Sequence, residues 1–275
     1  MIRNRCLVLS WLALTFLMLS GCGLWGQQPR ITTELESYEV AESLLTSGSL
    51  NLAIEQLEAM ESRFPFGLYA TQVQLDLIYA HYEQGNLETA LLRANRFIRL
   101  QPAHPQVDYV FYLRGLVQFA LAERQASILS TRNLIDRDVS GYEEAFFLLQ
   151  ETLQRFPDSA YREQSLGLMH ITRHRMAEQS YQIALYYYQT GQYSAALTRI
   201  NKLLSRFAGE PIQENALALK TSTHLALADA TSAEATLKLL QAEFPDSQWL
   251  SDGALSADFR FRRPWYFWLT LGLIG

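Results

Sequence analysis

Apolar residues recur at intervals of three and four along most of this chain, and short, similar words interrupt them at regular distances. In the first such unit Ala53, Ile54, Leu57, Met60 and Phe64 fall on one helical stripe, with Glu55, Glu58 and Glu61 largely off it. Pro65 ends that helix, because a residue before proline is pushed out of the α region. A second helical pattern follows, with Val73, Leu77 and Ile78 pointing inward and Tyr79 and Tyr82 beside them. The interrupting words are near copies: "RFPFGLYA" at Arg63–Ala70, "RFPDSAYR" at Arg155–Arg162 and "EFPDSQWL" at Glu243–Leu250.

Alignment on these words exposes a repeat. Gly48, Ala53 and Pro65 keep the same offsets as Gly85, Ala90 and Pro102. Gly191, Ala196 and Ala208 keep them with alanine in place of the proline, and Ala228, Ala233 and Pro245 keep them with alanine in place of the glycine. A third copy retains only Ala145 and Phe156-Pro157. The spacing is 37 residues from Gly48 to Gly85 and from Gly191 to Ala228, near the roughly 34 of a tetratricopeptide helix–turn–helix unit. The glycine permits a sharp turn and the alanine lets neighbouring helices approach closely. One helix pair cannot bury its apolar stripe alone, whereas stacked pairs bury each other's and leave a concave face. The expected fold is therefore all-α, a tetratricopeptide-repeat superhelix of about five helix pairs over residues 34–250. With Phe207-Ala208 instead of Phe-Pro, the fourth exit turn is expected to be less constrained. The third unit breaks the pattern. Its first helix is expected over Val107–Arg124, followed by a long loop, "QASILSTRNLIDRDVSGY". In that loop Arg132, Asp136, Arg137 and Asp138 could pair locally; it is either a functional loop or an ordered elaboration that fills the inner face.

The two ends are of another kind. Residues 1–21 have Arg3 and Arg5 ahead of an apolar run from Leu7 to Leu19, too short to span a bilayer comfortably. Leu19-Ser20-Gly21-Cys22 resembles a bacterial lipobox, which implies cleavage before Cys22 and lipidation of its thiol. The alternative is an uncleaved N-terminal helix with a bystander cysteine. On the lipobox reading Cys6 leaves with the leader, so no thiol remains for a disulfide or a nucleophile, and residues 22–33 form a lipidated tether. Gly23, which is not aspartate, implies by analogy with such lipoproteins onward transport to the outer membrane. Residues 251–275 form a tail with Trp265, Tyr266, Phe267, Trp268 and Leu269 behind Arg260, Arg262 and Arg263. That composition suits a cap on the last repeat or a partner site, and equally a membrane interface.

Charge and chemistry narrow the function. The formal net charge is −5, with 23 basic and 28 acidic residues, and loss of Arg3 and Arg5 would deepen the deficit. This argues against nucleic acid. His170 and His174 share a helix face, but Ile171, Thr172 and Arg173 lie between them, so no HExxH chemistry is present and no third metal ligand is evident. The glycines are scattered singly, so no phosphate-cradling loop forms, and no nucleophile elbow occurs. No catalytic residues, no metal site and no cofactor beyond a lipid on Cys22 are expected.

"RFPFGLYATQVQLDLIYAHYEQG", "FIRLQPAHPQVDYVFYLRGL" and "DRDVSGYEEAFFLLQETLQRFPDS" resemble segments of the BamD family, the lipoprotein of the outer-membrane β-barrel assembly machine. The likeness covers about Glu34 to Ser247 and is strongest from Arg63 to Gly115. It implies five tetratricopeptide repeats, no enzymatic activity, and a lipid-anchored scaffold on the periplasmic side of the outer membrane. The implied partners are the barrel-forming subunit, an accessory lipoprotein packed along the chain, and unfolded outer-membrane proteins. By the same similarity Arg199, in "ALTRINKL", stands where the family places an arginine that contacts the barrel subunit. Client binding is expected on the inner helices of the first units, with Tyr69, Gln72, Asp76 and Tyr79 as one group and Asp108, Tyr109, Tyr112 and Arg114 as another. Tyrosine offers a large contact area with a polar tip, which suits varied peptides. Other readings of a repeat lipoprotein are an adaptor for a peptidoglycan enzyme and a pilotin for a secretin ring.

Overall fold

The computed structural model describes residues 33–129 and 140–259. Among them are ten helices: α1 (Glu34–Thr46), α2 (Leu50–Arg63), α3 (Ala70–Glu83), α4 (Leu87–Leu100), α5 (Val107–Leu129), α6 (Ser140–Arg155), α7 (Arg162–Gln189), α8 (Tyr193–Arg206), α9 (Gln213–Ala226) and α10 (Ala230–Glu243). They pack in sequence order as five antiparallel pairs. The odd-numbered helices from α3 onward also touch one another, α3 with α5, α5 with α7 and α7 with α9. The even-numbered row is bridged by long side chains, Arg93 of α4 to Glu58 and Glu61 of α2, and Arg206 of α8 to Glu143 of α6. A stack whose odd helices approach closely and whose even helices are spread apart curves toward the odd row. The odd helices therefore line the inner, concave face of a tetratricopeptide superhelix.

The repeat's small residues act as their spacing implies. Ala53, Ala90, Ala145 and Ala196 are wholly buried, and Ala233 nearly so. Gly48, Gly85, Gly191 and Ala228 all have positive φ, between 60° and 82°. In each case the next residue's N–H reaches back five residues to a helix carbonyl: Ser49 to Leu44, Asn86 to His81, Gln192 to Tyr187 and Asp229 to His224. This is the Schellman closure, in which a left-handed residue satisfies the last carbonyls of a helix.

The exits between pairs are equally uniform. Phe64, Gln101, Phe156, Phe207 and Phe244 each accept the N–H of the residue three further on, and a second such turn follows at once. The expectation of a looser fourth exit is corrected here. Both turn hydrogen bonds form without the proline, Gly209 supplies a φ of 83°, and buried Glu210 is held by Arg173 at 2.8 Å.

The third unit differs from expectation as well. Helix α5 runs on from Arg124 to Leu129, and α6 has begun by Ser140. Gln125–Leu129 contains no glycine or proline, so nothing in it stops a helix already formed. The segment 130–139, with Arg132, Asp136, Arg137 and Asp138, lies outside the described residues. After α10 comes a two-residue hairpin, β1 (Leu250–Ser251) and β2 (Ala254–Leu255), turning through Asp252 and Gly253, both at positive φ. It folds back on the last pair through Gln241, which donates to the Gly253 carbonyl. Phe259 is buried against Trp249 and Tyr188, with ring centroids 4.9 and 6.1 Å away. The beginning of the tail therefore covers the last repeat, while its aromatic end, Pro264–Gly275, lies outside the described residues, as do Cys22 and the leader.

Candidate functional site: an aromatic inner face

Three of the five exit turns carry an aromatic residue at their last position, which Gln106 and Ile212 hold in the other two. Tyr69 caps α3 and Tyr161 caps α7, each four residues after the exit proline; Trp249 holds the same place after α10. Each reaches back to the preceding inner helix. Tyr69 stacks on Tyr38 of α1 at 4.6 Å with the rings 18° from parallel. Tyr161 lies 5.0 Å from Tyr109 and 5.3 Å from Tyr112 of α5, stacked on the latter within 11°. Trp249 Nε1–H donates to Asn215 Oδ1 of α9 at 2.7 Å. Offset ring pairs of this kind add to simple burial.

On α3 the aromatic floor surrounds a carboxylate. Tyr38 donates its hydroxyl to Asp76 Oδ2 at 2.9 Å, and Gln72, one turn earlier on α3, donates to Oδ1 at 2.8 Å. Burial holds the Asp76 carboxyl above its ordinary range, opposed by these two donors. Burial, and then Asp76 itself, pushes the Tyr38 phenol well above the usual tyrosine range. Tyr79, one turn further, is 40% exposed. Tyr109 is raised first by burial, then by Tyr161, Tyr79, Asp76 and Tyr112. The tyrosines of the two groups expected from sequence therefore share one surface with Asp76 and Gln72, crossing from α1 over α3 and α5 to the start of α7.

Two expected members spend their polar atoms on the scaffold. Asp108 accepts from Ser159 Oγ at 2.5 Å, and Glu214 accepts from Ser247 Oγ at 2.6 Å two repeats later. The shared geometry marks Asp108 as a brace for the next exit turn. Arg114 sits about 200° around α5 from Tyr112, so it faces away from the tyrosines. It pairs with Glu151 of α6 at 2.5 Å and lies 4.6 Å over the Phe111 ring. Sequence reasoning missed Tyr38 and Tyr161. Tyr161 was signalled by the repeated word itself, since "FPFGLY" and "FPDSAY" end in the same residue at the same offset.

Further along the inner face a cleft of about 530 Å³ opens among α5, α6, α7 and α9. Its charges are mutually paired: Arg175 bonds Glu123 at 2.9 Å and Glu178 at 3.2 Å, and the Tyr142 hydroxyl donates to Glu123. Arg199 stands elsewhere, exposed on α8 of the outer row. Its guanidinium lies 5.7 Å from the Tyr187 ring, and no carboxylate among the described residues comes within 4.0 Å of it. Among the described residues no cluster of three metal-binding side chains occurs, and no helix is long and apolar enough to cross a membrane.

Residues 31–240 match the model of the YfiO family, described as an outer membrane lipoprotein. The chain is 35% identical over 204 residues to the outer membrane protein assembly factor BamD of Vibrio cholerae, covering 74% of this chain and 85% of that one. It is 32% identical over 256 residues to the BamD of Neisseria meningitidis serogroup B, covering 91% and 96%. Among solved structures, a thermophilic TPR protein of Thermus thermophilus aligns over 78% of this chain and 93% of its own, at 15% identity and a TM-score of 0.37.

Proposed function

This chain belongs to the YfiO family of outer membrane lipoproteins, and we propose from that premise that it is a non-catalytic assembly factor for outer-membrane proteins, anchored by lipid on Cys22 and facing the periplasm. It binds unfolded β-barrel clients on its aromatic inner face and the barrel-forming subunit of the assembly machine through the outer row, at Arg199. The observation that carries the client role is the continuous surface formed by Tyr38, Tyr69, Tyr79, Tyr109, Tyr112 and Tyr161.

The physical case is one of tolerance. A client barrel strand alternates outward apolar residues with inward polar ones, and its aromatic girdle residues differ from protein to protein. Tyrosine rings accept any flat or aliphatic side chain by stacking and burial, while their hydroxyls and the Asp76–Gln72 pair can meet backbone or polar groups. Little conformational entropy is lost, because the rings are already stacked against one another. Arg199, with no carboxylate within 4.0 Å among the described residues, is available to a carboxylate on another chain, and arginine is common among energetically dominant interface residues.

Photo-crosslinking tests the client role. A benzophenone amino acid at Tyr69, Tyr79 or Tyr112 should capture unfolded barrel proteins, while the same probe at Glu55 or Leu92 of the outer row should not. Capture confined to the outer row defeats the assignment. Co-purification of the barrel-forming subunit from solubilised membranes, with and without Arg199→Ala, tests the second contact; undiminished recovery removes Arg199 from it.

A further inference from the structure

Among the described residues, exposed large apolar side chains are sparse on the turns, with one conspicuous exception. Phe66 is 99% exposed and Leu68 is 94% exposed, both on the turn between α2 and α3. The scaffold does not require them. The same two positions hold Ala103 and Pro105 in the second exit turn, Asp158 and Ala160 in the third, Gly209 and Pro211 in the fourth, and Asp246 and Gln248 in the fifth. All five turns share the same pair of backbone hydrogen bonds, so the large apolar residues in the first turn serve something other than its shape.

The turn is also held in place. The Glu34 carboxylate, at the first residue of α1, accepts the N–H of Leu68 at 3.1 Å and that of Tyr69 at 2.7 Å. Gly67, between the two apolar residues, admits that carboxylate, which a Cβ there would overlap. The point at which the N-terminal segment enters the fold is thus bonded directly to the turn that displays Phe66 and Leu68. Cys22 lies eleven residues before Thr33, a reach of at most about 40 Å when fully extended and roughly 20 Å as a flexible chain.

We propose that Phe66 and Leu68 are a second membrane contact, entering the headgroup–acyl boundary of the leaflet that carries the anchor. The inference rests on lipidation of Cys22. Two side chains alone bind a bilayer weakly. A short tether raises their effective concentration at the surface into the range of about millimolar, where a weak contact is largely occupied. The contact fixes which end of the solenoid meets the membrane, and Tyr69, the next residue, brings the near edge of the aromatic inner face to the bilayer surface.

The test uses the full lipidated protein in vesicles of phosphatidylethanolamine and phosphatidylglycerol. With Cys22 acylated, a single new cysteine can carry an environment-sensitive fluorophore, at Phe66→Cys or Leu68→Cys, with Asp158→Cys and Asp246→Cys as controls on equivalent turns. All four sites are on exit turns and outside the packed core, so the fold is retained. Probes at 66 and 68 should emit at shorter wavelength and lose intensity when the lipids carry bromine on their tails, and the controls should change in neither respect. Protein that floats with the vesicles while probes 66 and 68 behave as the controls overturns the proposal and leaves the anchor standing. A blue shift without bromine quenching also overturns it, since that indicates protein rather than lipid around the turn. Protein that does not float overturns the anchor and this contact together.

Discussion

Ala228 occupies a backbone position that the equivalent turns fill with glycine, at a φ of 60°. Left-handed backbone costs an L-residue about 1–2 kcal/mol, while glycine adds unfolded-state entropy worth roughly 0.4–1 kcal/mol. The first effect is the larger, so Ala228→Gly should raise stability by about 0.5–1 kcal/mol in urea unfolding. Asp76 carries a different strain. Its folded carboxyl holds its proton more tightly than the unfolded one, so its contribution is fully present at low pH and is lost as pH rises through the raised value. Asp76→Asn should flatten that decline, seen as unfolding midpoints that no longer fall with pH above the ordinary carboxylate range. His81 works in the opposite sense. Burial first, and then Arg93, hold it below its ordinary value against the pull of Glu58. Stability should therefore fall as pH drops through the usual histidine range, and a neutral replacement such as His81→Gln should lose that acid sensitivity.

Among the elements, α5 and α6 approach each other closely at Gly115. A Cβ there would come within 2.6 Å of the Leu149 side chain, which is fully buried. Alanine gains about 1 kcal/mol of helix propensity but overpacks the interface by about 1–3 kcal/mol. Gly115→Ala should therefore lower the thermal midpoint, and no change would show that Leu149 can repack. The helix pairing itself was legible before any coordinates, because the Gly–Ala–Pro offsets encode a turn, a close approach and a stop, all local in origin. Two elements were not. The extension of α5 to Leu129 leaves no mark in the repeat offsets, which break there although the helix does not. The hairpin after Trp249 escaped because strands of two residues leave no periodicity, although Asp252-Gly253 is a recognised turn pair. Phe259, which anchors that segment, is a further handle: Phe259→Ala should cost about 3–5 kcal/mol if its burial is typical of a core phenylalanine, measured as earlier unfolding of α9 and α10.

At the scale of the molecule, stability is shared between neighbours, since the described pairs pack mainly against the pairs next to them. Hydrogen exchange should accordingly show the α1–α2 pair opening before the central pairs. The inner face is a property of this stacking. Tyr38, Asp76, Tyr109 and Tyr161 belong to three helices and the cap of a fourth and are spread over more than a hundred residues, yet the curvature of the odd row joins them. The same stacking decides which candidates stay available. It uses Asp108 to brace Ser159 and Arg114 to pair with Glu151, while leaving Tyr79 exposed.

The repeat, its register and the family follow from residue order alone, because helix periodicity and turn chemistry are written in neighbouring residues. Which polar side chains remain open to a partner follows only from folding. Whether Asp108 or Arg114 is free depends on what the neighbouring helix and its exit turn bring within 3 Å of it, and those partners lie more than thirty residues away along the chain.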